Sequence, residues 1–312
     1  MKTSANNDRR GAALLLSLWA LFLLSAVVIS WALDIDSRLT LNGNANRVME
    51  AEAMAASGSE IATHPAVKPG SPLLRGGVNR TQTFDARITG EGGRLNLNWI
   101  ALNAAQPSEQ GARCRELLRR YLEIKGVELN DRDRMIDCLL DWVDSDNEIR
   151  LNGAEAEGDY RPSNRLLTRI DEMKRIHGWE EFTANDGWDA DFTITSGQKV
   201  DVRWASRDIL LALGFGEQAV DDFLTLRRGS DGEDGTQDDP TLSSDEAWRA
   251  LGITAPQQQL PAILQVAGFD IDHRMRVVSV GRSASVTRTI EMVVDKPNGQ
   301  QPILIAGTWK EY

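Results

Sequence analysis

At 312 residues the chain has room for a membrane segment and two folded units. Its formal charge of −11 argues against nucleic acid or anionic lipid as a partner and suits divalent cations. Two cysteines, Cys114 and Cys138, are too few for a disulfide scaffold, and no Cys-x-x-Cys occurs.

The first element is Ala12 to Leu33, twenty-two residues without a charge. At about 1.5 Å per residue it spans roughly the 30 Å hydrocarbon core of a bilayer. Arg9 and Arg10 stand before it, which favours a cytoplasmic N-terminus. A secretory signal has a shorter apolar run followed by a small-x-small cleavage site. Here the small residue, Gly11, precedes the run. That order resembles the class III leader of type IV pilins and type II secretion pseudopilins. The resemblance implies cleavage between Gly11 and Ala12 by a prepilin peptidase, leaving the apolar helix on a mature chain of charge −13. Leu16 stands where most of that family carry a glutamate as fifth mature residue. A carboxylate in hydrocarbon needs a partner. Its absence resembles the large minor pseudopilin K family of the type II secretion system, whose tip subunit has no neighbour above it.

The helical pattern continues from Asp34 to Thr63, with Val48, Met49, Ala51, Ala55, Ala56 and Ile61 available for a buried side. An unbroken helix from Ala12 to Thr63 is about 78 Å long, and Asn42, Gly43 and Asn44 are poor helix formers that would loosen it. His64-Pro65 and the Pro/Gly-rich run to Gly77 end it. Strands are expected at Thr81 to Thr89 and at Arg94 to Trp99, after the turn GEGG. RLNLNW has a counterpart in KVDVRW, Lys199 to Trp204, which suggests a weak internal repeat of strand followed by helices.

Helices are expected at Arg113 to Ile124, Arg132 to Val143, Leu166 to His177, Arg207 to Leu213, Gln218 to Arg227 and Ser244 to Leu251. From Phe269 three strands follow, IDHRMRVVSVG, SVTRTIEMVVD and PILIAGTWKEY, joined by turns at Gly281–Ser283 and Pro297–Gly299. The expected fold is α+β and pilin-like, a long N-terminal helix packed on an antiparallel sheet. A large inserted α-helical domain with helix-hairpin-helix-like units interrupts it. The divisions are a leader (1–11), a membrane segment (12–33), the soluble half of the helix (34–63), the first part of the sheet (64–99), the insertion (100–268) and the last part of the sheet (269–312). A large inserted α-domain again resembles the K pseudopilins.

The densest polar cluster is Asp141 to Asn164. Asp144, Asp146, Glu148 and Glu155 match positions 1, 3, 5 and 12 of an EF-hand loop, but position 6 is Ile149 rather than glycine. Oxygen ligands without His or Cys point to Ca²⁺ over Zn²⁺. The K family is known for a calcium site in its α-domain, and the resemblance implies ligands among Asp144, Asp146, Glu148, Glu155 and Asp159. The alternative is a solvated acidic loop. A second acidic loop runs from Gly229 to Pro240. Ala205 to Gly229 resembles a helix-hairpin-helix around Gly214-Phe215-Gly216, but Glu217, Asp221 and Asp222 follow at once and would repel phosphate, so a structural use is favoured. Arg165 to Trp179 is a candidate second copy of the half-motif. Cys114 and Cys138 fall in predicted helices, either bridged across two helices in an oxidising periplasm or buried as free thiols.

No Gly-x-Ser-x-Gly, P-loop or His-Glu-x-x-His occurs, and His64, His177 and His273 are scattered, so an enzyme is not expected. Tryptophans 99, 142, 179, 188, 204, 248 and 309 are expected as core or interface anchors. The leading expectation is a tip minor pseudopilin in the inner membrane, its head in the periplasm. There it would bind the I and J minor pseudopilins and, through them, the pseudopilus shaft. The other reading, a signal-anchored periplasmic helix-hairpin-helix module that binds DNA, requires a basic face that the sequence lacks.

Overall fold

The structure is a computed structural model that describes residues 5–254, 256–297 and 300–312. Helix α1 (Ala5–Thr63) runs 59 residues, about 90 Å, and passes through Asn42–Asn44 without a break. Its stretch Leu14–Asp36 is long and apolar enough to cross a membrane, with a mean hydropathy of 2.3 and none of it covered by the rest of the chain. Gly11 and Ala12 lie within α1, and Met1–Ser4 lie outside the described residues.

Past the apolar segment, α1 lies on a sheet made of β1 (Arg75–Gly77), β2 (Gln82–Gly90) and, far along the chain, two longer strands over Arg274–Ser283 and Val286–Asp295. The helix buries Ala51, Ala55, Ser59 and Ala62, one stripe at helical spacing. Met49 and Ala56, expected on that side, are exposed. The stripe is small because helix and strand approach closely. A side chain at Gly281 would collide with the carbonyl of Ala51 and the nitrogen of Ala55, and one at Gly58 would sit 2.9 Å from the Phe84 ring.

After β2 the chain leaves the sheet. β3 (Leu95–Asn96) is followed by α2 (Leu97–Ala104), α3 (Glu109–Ile124), α4 (Leu129–Val143) and α5 (Glu180–Thr183). Then come β4 (Phe192–Thr193), β5 (Val200–Asp201), α6 (Arg207–Ala212), α7 (Glu217–Arg227), α8 (Ser244–Ala250), α9 (Pro256–Ile263) and β6 (Ala267–Gly268). The chain re-enters the sheet as β7 (Arg274–Ser283) and β8 (Val286–Asp295), and ends in β9 (Ile303–Leu304) and β10 (Lys310–Glu311). The antiparallel order is β1-β2-β7-β8-β10, with β9 also on β8. Since β2 and β7 are neighbours, the whole helical block lies between two adjacent strands.

Two apolar cores result. The larger, in the helical block, is built around Trp142, Trp179, Tyr121 and Phe223; the smaller joins Ala62 and Val67 to Ile88, Val277, Met292 and Val294 of the sheet. Trp142, Trp179 and Trp248 are buried as expected of anchors, whereas Trp309 is exposed. Lys296 closes the end of α1, where its Nζ donates to the carbonyls of Ala62 (2.9 Å) and Val67, so a cation meets the negative end of the helix.

Several expected elements differ. RLNLNW forms only β3, because the Asn96 side chain accepts from the Trp99 amide (3.2 Å) and starts α2 there. KVDVRW likewise forms only β5. Each of these short strands pairs in parallel with a later one, β3 with β4 and β5 with β6. Leu166 to His177 is a 3₁₀ segment over Ile170–Arg175, since the Glu172 carboxylate accepts from the amides of Thr168 (2.9 Å) and Arg169 (3.1 Å) and folds the chain tightly. The β7–β8 turn falls at Ala284-Ser285, with Ala284 at φ +52°, rather than at Gly281–Ser283. The Pro297–Gly299 turn includes Asn298 and Gly299, which lie outside the described residues. The last expected strand is split into β9 and β10: the Val293 carbonyl still accepts from the Ile305 amide (3.0 Å), but the Val293 amide donates to the Thr308 hydroxyl (3.0 Å) in place of a backbone carbonyl.

Candidate functional site

The acidic cluster begins in the last turn of α4. Asp141 is fully buried there and Asp144 is the C-cap residue. The chain then loops outward and returns to bury Glu155. Ten buried side-chain polar atoms lack a hydrogen-bond partner among the described residues, and six lie between Trp142 and Asn164. Four are acceptor oxygens: Asp144 Oδ1, both Glu155 oxygens and Asn164 Oδ1. Buried acceptors without donors are costly, so their concentration in one loop calls for a positive partner.

Part of that charge is internal. The guanidinium of Arg150 lies between Asp141 and Asp144 and pairs with both. Burial, followed by the charges of Asp141, Asp144 and Asp146, raises the pKa of Glu155. Burial also raises Asp141, opposed by its bonds from Arg150. Both carboxylates are therefore under-compensated as anions. The donor set is oxygen only, which fits a hard cation such as Ca²⁺.

Of the five predicted ligands, Asp144 and Glu155 carry buried oxygens that have no hydrogen-bond partner among the described residues. Asp146, Glu148 and Asp159 are exposed. Asp146 Oδ1 accepts from the Glu148 amide (2.9 Å), a local turn bond. Two residues outside that predicted set join the loop's polar group: Asn164, whose Oδ1 is buried without a partner among the described residues, and Asp141, whose oxygens accept from Arg150. The signal for Asp141 was its spacing, three residues before Asp144 on the same helix face.

Among the described residues, the three carboxylates that approach within 4.8 Å of one another are Asp231, Asp238 and Asp239, in the second acidic loop. Asp238 Oδ2 already accepts from the amide (2.6 Å) and hydroxyl (2.7 Å) of Ser230, and these bonds hold its pKa low. This loop is tied to the sheet: Gly235 accepts from the Gly70 amide (3.1 Å) and Glu233 pairs with Arg87. The hairpin from α6 to α7 turns at Gly214, whose φ is +97°. Arg207 on α6 bonds Asp221 on α7 at 2.7 Å, so an acid expected to repel phosphate is neutralised within the hairpin.

Cys114 and Cys138 are buried and unbridged. The Cys138 sulfur points to the Asn152 carbonyl at 3.7 Å, part of the acidic loop. Burial pushes the Cys114 thiol up to about 12 and the Cys138 thiol up to about 11, so neither is a nucleophile at neutral pH.

A further polar group joins the helical block to the sheet. Glu91, wholly buried, accepts from Arg276 of β7 through Nε (2.8 Å) and Nη2 (2.9 Å), and from the Thr193 hydroxyl (2.5 Å) of β4. Arg276 also pairs with Glu291 of β8. Burial raises the Glu91 pKa, but the Arg276 hydrogen bonds and charge outweigh it and hold the group below the usual carboxylate range. These residues line a cleft of about 330 Å³ between block and sheet.

Residues 93–185 match the sequence family described as type II secretion system (T2SS), protein K. A curated type II secretion system protein K from Dickeya chrysanthemi is 29% identical over 75 residues, 23% of this chain and 21% of the relative, so the match spans about a fifth of that protein. The fold resembles a chain in the crystal structure of the GspK-GspI-GspJ complex of the type 2 secretion system from enterotoxigenic Escherichia coli. The TM-score is 0.56 at 15% identity, over 89% of this chain and 99% of that one.

Proposed function

We propose that this chain, whose residues 93–185 match the type II secretion system protein K family, is a minor pseudopilin of that family at the tip of the periplasmic pseudopilus that initiates and caps its assembly. The observation that supports this most is the architecture. A long helix with one bare apolar segment is laid on an antiparallel sheet, with a bulky helical block between β2 and β7. The apolar segment would anchor the chain once in the inner membrane and then pack with its counterparts in the fibre. The head would lie in the periplasm and bind the I and J minor pseudopilins, and through them the shaft. A block of this size fits only where no subunit stacks above it. Leu16 agrees with the tip, where no neighbour's amino terminus needs a carboxylate.

In this reading the work is assembly rather than catalysis. Asp144 and Glu155, with Asp141 and Asn164, would hold a structural Ca²⁺, and the exposed Asp146, Glu148 and Asp159 of the same loop would complete its shell. The ion would supply the positive charge that the buried oxygens lack and fix the loop against α4. The α6–α7 hairpin, a helix-hairpin-helix-like unit, would serve as an internal brace.

Intact mass of the chain recovered from membranes with a prepilin peptidase tests the proposal. Loss of residues 1–11, with Ala12 as the new N-terminus, is the expected result. Retention of the leader, or loss of the apolar helix with it, overturns the pseudopilin reading.

A further inference from the structure

A second recess, of about 180 Å³, opens between the end of β2, the turn after it and the helical block. Its charged and polar lining includes Arg94, Trp204, Arg227, Arg228, Asp191 and Asp234. Part of this lining is already satisfied. Arg227 gives Nε (2.7 Å) and Nη2 (2.9 Å) to Asp234 and Nη1 to the Ala205 carbonyl (2.8 Å). Asp191 accepts from the Tyr121 hydroxyl (2.9 Å) and faces Lys125 at 3.2 Å.

Three donor groups remain. The Trp204 indole Nε1 is buried and has no hydrogen-bond partner among the described residues. Its ring is fixed against Gly90 and Gly93, where a Cβ would come within 2.5 Å of Nε1 and 2.7 Å of the Trp204 Cβ, respectively. The Arg94 guanidinium meets Glu91 only as an ion pair at 3.7 Å, while Glu91 is bonded to Arg276 and Thr193. Arg228 gives its Nε to Asp234 (3.0 Å), and its terminal N–H groups make no hydrogen bond among the described residues. Burial, then the charge of Arg276, lowers the pKa of Arg94 against the charges of Glu91, Asp191 and Asp189, which raise it.

We propose that this recess binds a small oxyanion of the phosphate or sulfate class between the indole N–H of Trp204 and the guanidinium groups of Arg94 and Arg228. A buried donor without an acceptor is costly, and guanidinium groups match oxyanions in charge and geometry. The volume is several times the roughly 30 Å³ share of one water, enough for one such ion with its remaining hydration. In a chain of charge −11, an anion held here needs this local cationic lining against the wider field. The bound ion would connect the turn after β2, through Arg94, to the helical block, through Trp204 and Arg228, and so brace the two parts of the head.

The test is the indole N–H resonance of Trp204 in the ¹⁵N-labelled full chain in detergent micelles, assigned with Trp204→Phe. Sodium phosphate is titrated against sodium chloride at equal ionic strength. The resonance is expected to move saturably with phosphate and sulfate and not with chloride, while that of exposed Trp309 stays in place. Arg94→Gln should weaken the titration by about tenfold or more, the loss of a charge-assisted hydrogen bond. Arg228→Gln, at a more exposed position, should weaken it several-fold and carries the test alone if Arg94→Gln does not fold. No saturable movement, equal movement with chloride, or unchanged binding in folded Arg94→Gln and Arg228→Gln variants overturns the proposal and leaves a recess that holds water only.

Discussion

Replacing Glu91 by alanine tests how the helical block is held to the sheet. The carboxylate is fully buried, and Arg276, 16% exposed in its side chain, gives it two parallel hydrogen bonds. Removing one partner of a buried pair costs about 3–5 kcal/mol, because the other charge is left unpaired. Arg276 keeps Glu291, so the lower end, about 3 kcal/mol, is expected. At about 2–4 °C per kcal/mol for a head of this size, thermal unfolding followed by circular dichroism should fall by about 6–12 °C. Glu91→Gln keeps the shape and should cost less, about 1–2 kcal/mol. The double variant Glu91→Met, Arg276→Met should recover part of the loss, since no lone charge remains buried. pH adds a second readout. A carboxylate held below its unfolded pKa contributes stability above that unfolded value, and the contribution is lost as pH falls through the lower folded value. The acid limb of stability should therefore flatten in Glu91→Gln. A change within about 0.5 kcal/mol for Glu91→Ala would refute the reasoning and make Glu91 a bystander.

Three further outcomes follow from the same geometry. Gly281→Val should lift α1 from the sheet, costing about 3 kcal/mol or more and exposing the Ala51–Ala55 stretch to limited proteolysis. Lys296→Met should cost about 1–2 kcal/mol and speed amide exchange in the last turn of α1, whose carbonyl at Ala62 loses its donor. Ca²⁺ over EDTA should raise the melting temperature, with the rise abolished in Glu155→Gln and largely retained in Asp159→Asn; a melting temperature that ignores Ca²⁺ contradicts the cation reading.

Much of the fold was legible because period decides it. The uncharged run of α1, the alternation in β2 and the β7–β8 pair each carry a pattern over nine residues or more. Short elements escaped where a single side chain overrides the pattern. Leu-Asn-Leu-Asn alternates like a strand, yet Asn96 is a helix cap. Leu167, Met173 and Ile176 reach the core as a helix face would, but Glu172 binds the preceding amides and tightens the turn to 3₁₀. The Thr308 hydroxyl takes the Val293 amide in place of a backbone carbonyl and splits the last strand. At the acidic loop, spacing suggested Asp144, Asp146, Glu148 and Glu155 and the family resemblance added Asp159; of these only Glu155 and Asp144 are withdrawn from solvent. Burial depends on how the loop returns to α4, and that path is set by Arg150 between Asp141 and Asp144, a contact no spacing rule contains.

Co-isolation tests the assembly role most directly. The full chain should be expressed with tagged I and J minor pseudopilins and a prepilin peptidase, extracted in detergent and sized by native mass. One species that contains all three proteins, formed by Ala12-started chains, is the predicted result. An I–J pair that forms while this chain elutes by itself would contradict the account.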